Sequence, residues 1–261
     1  MKILIAGHNN AWALERHYAK HMSKHADIVL YPAEDVFDEF YHVSVLNKIK
    51  FKLNLSSIYK KISDQLLAKI SVEKPDVVWI IKGMRILPKT ILAIKQQGVK
   101  TVNYNTDHPF YFSGKGSGNK NITDSIGLYD LHLCYHQEVK NRIEKEYGLP
   151  TADLPFGFEL DQELFEEINK QAKTNRVCFI GNPDKIRAGY INFLTENGLE
   201  VDVYGRDWKK ALPRNTSANI RGAIYGKEFW EKMNAYRVQL NIFKPHNDHS
   251  HNMRTFEIPA A

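Results

Sequence analysis

The chain has 261 residues, 43% of them hydrophobic, enough for two medium α/β domains and too apolar for a disordered protein. A formal charge of +6 suits an anionic partner without choosing among a phosphorylated substrate, a membrane surface and nucleic acid. Cys134 and Cys178 lie far apart in apolar runs, which excludes a disulfide framework and points to buried free thiols in a reducing compartment, and no apolar run is long enough for a signal peptide or a bilayer span.

Short apolar runs alternate with amphipathic stretches, the pattern of βα units around a parallel sheet. Strands are predicted at 3–6, 28–31, 77–81, 101–104 and 131–135. Helical spacing of Ile58, Ile62, Leu66, Leu67 and Ile70 predicts a helix over 58–72. A second, over 88–97, opens on Pro88 and stops before Gly98, and a third covers 135–147. Composition changes after Pro155. Residues 161–175 are dense in Glu, Gln and Lys before a new strand at 177–181, then a helix at 186–197 and a strand at 201–205. Ile220 falls in a short strand, 227–235 in a helix and 238–243 in a strand. Two similar α/β halves follow: 1–155, an interdomain linker over 156–175, and 176–261.

Gly7, Gly181 and Gly205 sit where strands turn into helices, where a missing Cβ lets backbone approach a ligand. The run after Gly7 lacks the second and third glycines of a dinucleotide fingerprint, which counts against an NAD-binding first half. At the other end, Arg254 and Glu257 are three residues apart, so on a helix they face one cleft. The first turn of such a helix offers unpaired N–H groups for a diphosphate, while Glu257 can accept hydroxyl protons from a ribose. That is a nucleotide-sugar site in outline. Pro259 is expected to interrupt the helix, and the second domain to be incomplete where the chain stops.

Three segments carry a resemblance: 177–182 (Val-Cys-Phe-Ile-Gly-Asn) followed by Arg187, 203–208 (Val-Tyr-Gly-Arg-Asp-Trp), and 251–261 (His-Asn-Met-Arg-Thr-Phe-Glu-Ile-Pro-Ala-Ala). Together they resemble the donor-binding half of a GT-B glycosyltransferase of the group 1 clan, with the nearest likeness to the CgeB-like spore maturation group. The likeness is strongest over 176–261; the first half, with Asn103 to Pro109, is similar to that group's more variable acceptor domain. The resemblance implies two Rossmann-like domains, a nucleoside-diphosphate-sugar donor held mostly by the second, no tightly bound cofactor and no metal. Its donor-binding residues would be Gly181, Asn182, Arg187, Gly205, Arg206, His251, Asn252, Arg254 and Glu257, with Arg187 neutralising the diphosphate and Glu257 gripping the ribose. One departure stands out. Where many relatives carry a first glutamate, eight residues before Glu257, this chain has His249, and an imidazole cannot accept from sugar hydroxyls as a carboxylate does. Retention of anomeric configuration is therefore not carried over.

Asp107 and His108 follow the 101–104 strand, where open α/β sheets place ligand-binding groups, and either can serve as the base that deprotonates an acceptor hydroxyl; a turn set by Pro109 is the bland alternative. His246, Asp248, His249 and His251 have the short spacing of metal ligands, but no second cluster completes a set, so sugar or phosphate contacts are the better expectation. The run 114–120 fails phosphate-loop spacing and reads as a surface loop. Lysines interleave with apolar residues over 48–61, a basic amphipathic segment that either stays solvated or lies on anionic lipid. The expected activity is sugar transfer from the donor to a hydroxyl acceptor on a glycan, lipid carrier or protein, in cell-surface glycan synthesis, with no nucleic-acid partner. Its place would be the cytoplasm, extending to the inner membrane face. A weak sugar-nucleotide-binding or assembly protein, or a nucleotide-sugar epimerase, are the alternatives.

Overall fold

The computed structural model describes residues 1–112 and 116–261; Gly114 and Lys115 of the glycine-rich loop lie outside them. The chain divides into two compact units, Met1–Pro155 and Phe156–Ala261.

In the first unit, β1 (Lys2–Ala6), α1 (Leu14–Met22), β2 (Asp27–Tyr31), α2 (Ala33–Val43), α3 (Val45–Lys52) and α4 (Ile58–Glu73) precede β3 (Val77–Ile81). There follow α5 (Pro88–Gln96), β4 (Lys100–Tyr104), α6 (Lys120–Ser125), β5 (Leu131–Cys134), α7 (Gln137–Tyr147) and β6 (Thr151–Asp153). The strands form one sheet in the order β2-β1-β3-β4-β5-β6, every neighbouring pair parallel. All their carboxyl ends therefore share one edge. The four-residue spacing of Ile58, Ile62, Leu66 and Ile70 puts them on the buried face of α4, packed with Leu4, Val78 and Ile80 of the sheet.

The basic segment 48–61 falls on two helices, α3 and the start of α4. Asn54 takes a left-handed conformation (φ 57°); its N–H bonds to Phe51 O at 3.1 Å and that of Leu55 to Lys50 O at 2.8 Å. This is the Schellman closure, and it ends α3 before α4 begins.

The second unit contains α8 (Gln162–Ile168), β7 (Thr174–Ile180), α9 (Lys185–Glu196), β8 (Val201–Tyr204), α10 (Trp208–Ala211), β9 (Asn219–Arg221), α11 (Gly226–Ala235), β10 (Tyr236–Gln239) and α12 (Arg254–Ala260). Its sheet runs β10-β7-β8-β9, again all parallel. Both faces are covered, as parallel sheets require. Val177 and Phe179 of β7 pack with Ile191, Val203 and Trp208, whereas Cys178 and Ile180 pack on the other face with Ile168, Trp230 and Met233. Asp202 lies on that second face, gripped by Arg176 through two bonds of 3.0 and 2.6 Å and by the Tyr236 hydroxyl at 2.6 Å. Burial alone would raise the Asp202 pKa; those donors hold it below the usual value.

Two expectations need correction. The strand predicted at 238–243 is Tyr236–Gln239, because the ladder with β7 ends where the chain turns away toward the terminal motif. Pro259 does not interrupt α12, which runs through it to Ala260; the helix loses only the bond the proline cannot donate. Both cysteines are free and buried, and burial pushes the Cys134 thiol up to about 12.

Candidate functional site

In the second unit the chain leaves β7 toward β8 and β9, then returns to place β10 on the other side of β7. That reversal makes the carboxyl ends of β7 and β10 a topological switch point, the crevice where open α/β sheets bind ligands. Arg187 bridges it. Its Nε donates to Ile242 O beyond β10 and its Nη1 to Asn182 O beyond β7, each at 3.0 Å. Its side chain is only 11% exposed, and burial holds the guanidinium below its ordinary pKa. Asp184 positions it: Oδ1 caps α9 by accepting the N–H groups of Ile186 and Arg187, both at 2.9 Å, and Oδ2 lies 3.5 Å from Arg187 Nε.

Arg254 approaches the same strand end. Its Nε donates to Ile180 O at 3.1 Å, its guanidinium lies 4.6 Å from the Phe229 ring centre, and Nη1 pairs with Glu257 Oε2. Sequence spacing foresaw that Arg254 and Glu257 share a face; it did not foresee that they bind each other. Glu257 is buried, which raises its pKa against the opposing pull of Arg254. A carboxylate withdrawn from water needs such a partner. Each guanidinium has donors beyond the bonds just named.

The expectation of unpaired N–H groups at the start of α12 is corrected at Thr255 and Phe256. Asn252 Oδ1 accepts from Thr255 N at 3.1 Å, and the N–H groups of Phe256 and Glu257 both bond to Met253 O at 3.0 Å. Asn252 also donates to Asn241 Oδ1 at 2.8 Å, so its side chain pins the helix to the segment after β10. His251 turns inward, its Nε2 accepting from Phe156 N at 3.2 Å, between the rings of Phe156 and Phe256.

The glycine turns after β7 and β8 are fastened to each other. Gly181 O accepts from Trp208 Nε1 at 2.8 Å and Asn182 Oδ1 from Arg206 N at 3.0 Å. A Cβ on Gly205 would collide with the Gly181 carbonyl, so only glycine fits there. Beside this junction a cleft of about 400 Å³ is lined by Gly205, Asp207, Trp208, Lys209, Lys210, Ile220, Arg221 and Gly222.

In the first unit Asp107 and His108 stand beyond β4, as the strand pattern predicts. Asn105 Oδ1 accepts from Asp107 N at 3.0 Å, closing the turn, and Lys82 Nζ, beyond β3, bonds Asp107 Oδ2 at 2.6 Å. Sequence reasoning missed His136. It follows β5 as His108 follows β4, and in a parallel sheet adjacent strand ends are neighbours; the two rings are edge to face, 5.6 Å apart. The signal was a histidine at the end of each of two consecutive predicted strands. Ligand atoms of His108, His136 and Glu138 lie within 4.8 Å of one another. Yet Nδ1 of each imidazole accepts a backbone N–H at 3.2 Å, from Phe110 and Glu138, which leaves the proton of a neutral ring on Nε2, as a donor rather than a metal ligand. Of the 246–251 loop, His249 faces Asp248 at 3.7 Å on the surface.

Two Rossmann-like domains, each with a parallel sheet, give the chain a GT-B-like fold. Residues 187–261, from the switch-point arginine through α12, match the family model described as glycosyl transferase-like. No curated protein matches the chain. Among solved structures it is similar to a UDP-GlcNAc 2-epimerase from Neisseria meningitidis bound to UDP-GlcNAc, at 14% identity and TM-score 0.58 over 92% of this chain and 77% of that one. It is likewise similar to a UDP-forming α,α-trehalose-phosphate synthase from Burkholderia xenovorans, at 9% identity and TM-score 0.58 over 91% and 77%. A third is the Anabaena protein HepE in complex with UDP, at 13% identity and TM-score 0.52 over 92% and 73%. At such identities the likeness is one of fold. No helix of the described residues is long and apolar enough to cross a membrane.

Proposed function

We propose that the protein transfers a sugar from a nucleoside-diphosphate donor to a hydroxyl acceptor, with residues 176–261 holding the donor and residues 1–155 the acceptor. One observation carries most weight: the glycosyl transferase-like match covers Arg187, Arg254 and Glu257, and both arginines converge on the carboxyl end of β7. Transfer releases a diphosphate, whose growing negative charge two fixed guanidiniums in a half-buried crevice would stabilise without reorganising. Glu257, now held by Arg254, is the candidate acceptor for ribose hydroxyls. The glycine turns at Gly181 and Gly205, with Asn182 and Arg206, let backbone approach the nucleotide; Asn252 ties the start of α12 to Asn241 beyond β10, and His251 ties it to Phe156. On the acceptor side, Asp107 takes the hydroxyl proton, while His108, whose Nδ1 already accepts from Phe110 N, is placed to donate from Nε2. Several structural neighbours are described with UDP or UDP-sugar, so UDP-sugars are the first donors to try.

The test is a panel of UDP-, GDP-, ADP- and CMP-sugars, followed by melting shift and by diphosphate release with and without cell-envelope acceptors. Ligand at about a hundred times its Kd should add about 2.7 kcal/mol of stability, with acceptor-dependent release. Stabilisation without turnover would favour a binding protein, and an epimerised donor an epimerase. If no nucleotide stabilises the chain, the donor site is wrongly assigned. Asp107→Asn should lower turnover by about two to four orders of magnitude, leaving nucleotide binding intact.

A further inference from the structure

An ordinary surface helix turns its apolar stripe inward; α3 does the reverse. On a 3.6-residue turn Val45, Leu46, Ile49 and Leu53 fall within an arc of about 100°, and that arc faces solvent, with Leu46 58% and Ile49 48% exposed. Val43 and Leu55, at either end, extend it and are more exposed still. The inward side carries Phe51, 5.0 Å from Phe37 and 5.6 Å from Tyr59, and Asn47, which donates to Phe40 O at 2.8 Å. Nor is the helix frayed: Ser44 caps its start through Asn47 N, and Asn54 and Leu55 close its end. The outward apolar stripe therefore belongs to a built element, and patches of this kind mark contact sites.

The charge around it selects the partner. Lys50 borders the stripe on one side and Lys48 and Lys52 on the other, by the same helical geometry. Between residues 40 and 63 the chain has five lysines and no acidic residue. Two copies meeting through this face would set like charges against each other. An anionic bilayer offers both an apolar interior for the stripe and negative headgroups for the flanking lysines. We propose that α3 and its flanks dock the protein on an anionic lipid surface, with the helix lying in the interface. The docking is independent of the sugar-transfer activity and is read separately from it.

Flotation of the full chain with vesicles of phosphatidylcholine, with and without phosphatidylglycerol, tests this. Binding to the anionic vesicles should fall about tenfold or more for Leu46→Glu/Ile49→Glu, and about fivefold per charge for Lys50→Gln and Lys52→Gln. All four positions are exposed, so the variants should melt with the wild type. As a second measurement, Ile49→Cys carrying an environment-sensitive dye should brighten and shift to the blue on anionic vesicles; both native cysteines are buried and escape the label. Failure of the wild type to float, flotation that ignores both sets of substitutions, or lipid-free self-association abolished by Leu46→Glu would each overturn the proposal.

Discussion

Gly205 shows how much one atom decides. Its backbone lies against the Gly181 carbonyl, which also accepts the indole N–H of the fully buried Trp208. Gly205→Ala must part the two turns, and we expect a loss of about 2 to 4 kcal/mol in chemical denaturation; a stability change under about 0.5 kcal/mol would show that the junction yields freely. Asp202 makes a second case. Arg176 and the Tyr236 hydroxyl satisfy a carboxylate that is almost wholly buried, so Asp202→Asn leaves Arg176 only its 2.9 Å pair with Glu200 and should cost about 1.5 to 3 kcal/mol. His132 sets a pH response. Burial holds its pKa below 6.5, against the opposing bond from Nε2 to Ile126 O. The unfolded chain thus takes up a proton near pH 6.5 that the folded unit does not. Its stabilising contribution is complete above that pH and declines as pH falls, so melting at about pH 5.5 should come earlier than at about pH 7.5, and His132→Gln should narrow the gap.

Helix α9 ties one cap to one site. Asp184 satisfies the first N–H groups of the helix and flanks the guanidinium of Arg187; Asp184→Ala should cost about 1 kcal/mol of stability and weaken nucleotide binding more than that loss explains. The same element shows where the sequence was legible. Gly181 after an apolar strand and Arg187 on the next helix announced a strand-turn-helix unit, because local pattern alone makes such units. The bridge from Arg187 to Ile242 O spans 55 residues and follows from strand order, which local pattern does not contain. Likewise the spacing of Arg254 and Glu257 gave their common face, yet whether they face a ligand or each other depends on burial by neighbours far along the chain. The end of α3 is hidden for a third reason: asparagine in the left-handed conformation is a weak signal beside a run of lysines and apolar residues.

At the scale of the molecule, each unit presents the carboxyl edge of one parallel sheet, one with paired histidines and a lysine-bound aspartate, the other with two arginines at a switch point. The central claim is that the second of these edges holds a nucleoside diphosphate. Calorimetric titration of UDP into the full chain, and into Arg187→Met, Arg254→Met and His108→Asn, tests it most directly. We expect saturable binding to the wild type, weakened at least tenfold by either arginine substitution, as charged hydrogen bonds of about 1.5 to 3 kcal/mol are lost, and unchanged by His108→Asn. Binding untouched by both arginine substitutions, or no binding at millimolar UDP, would contradict the account.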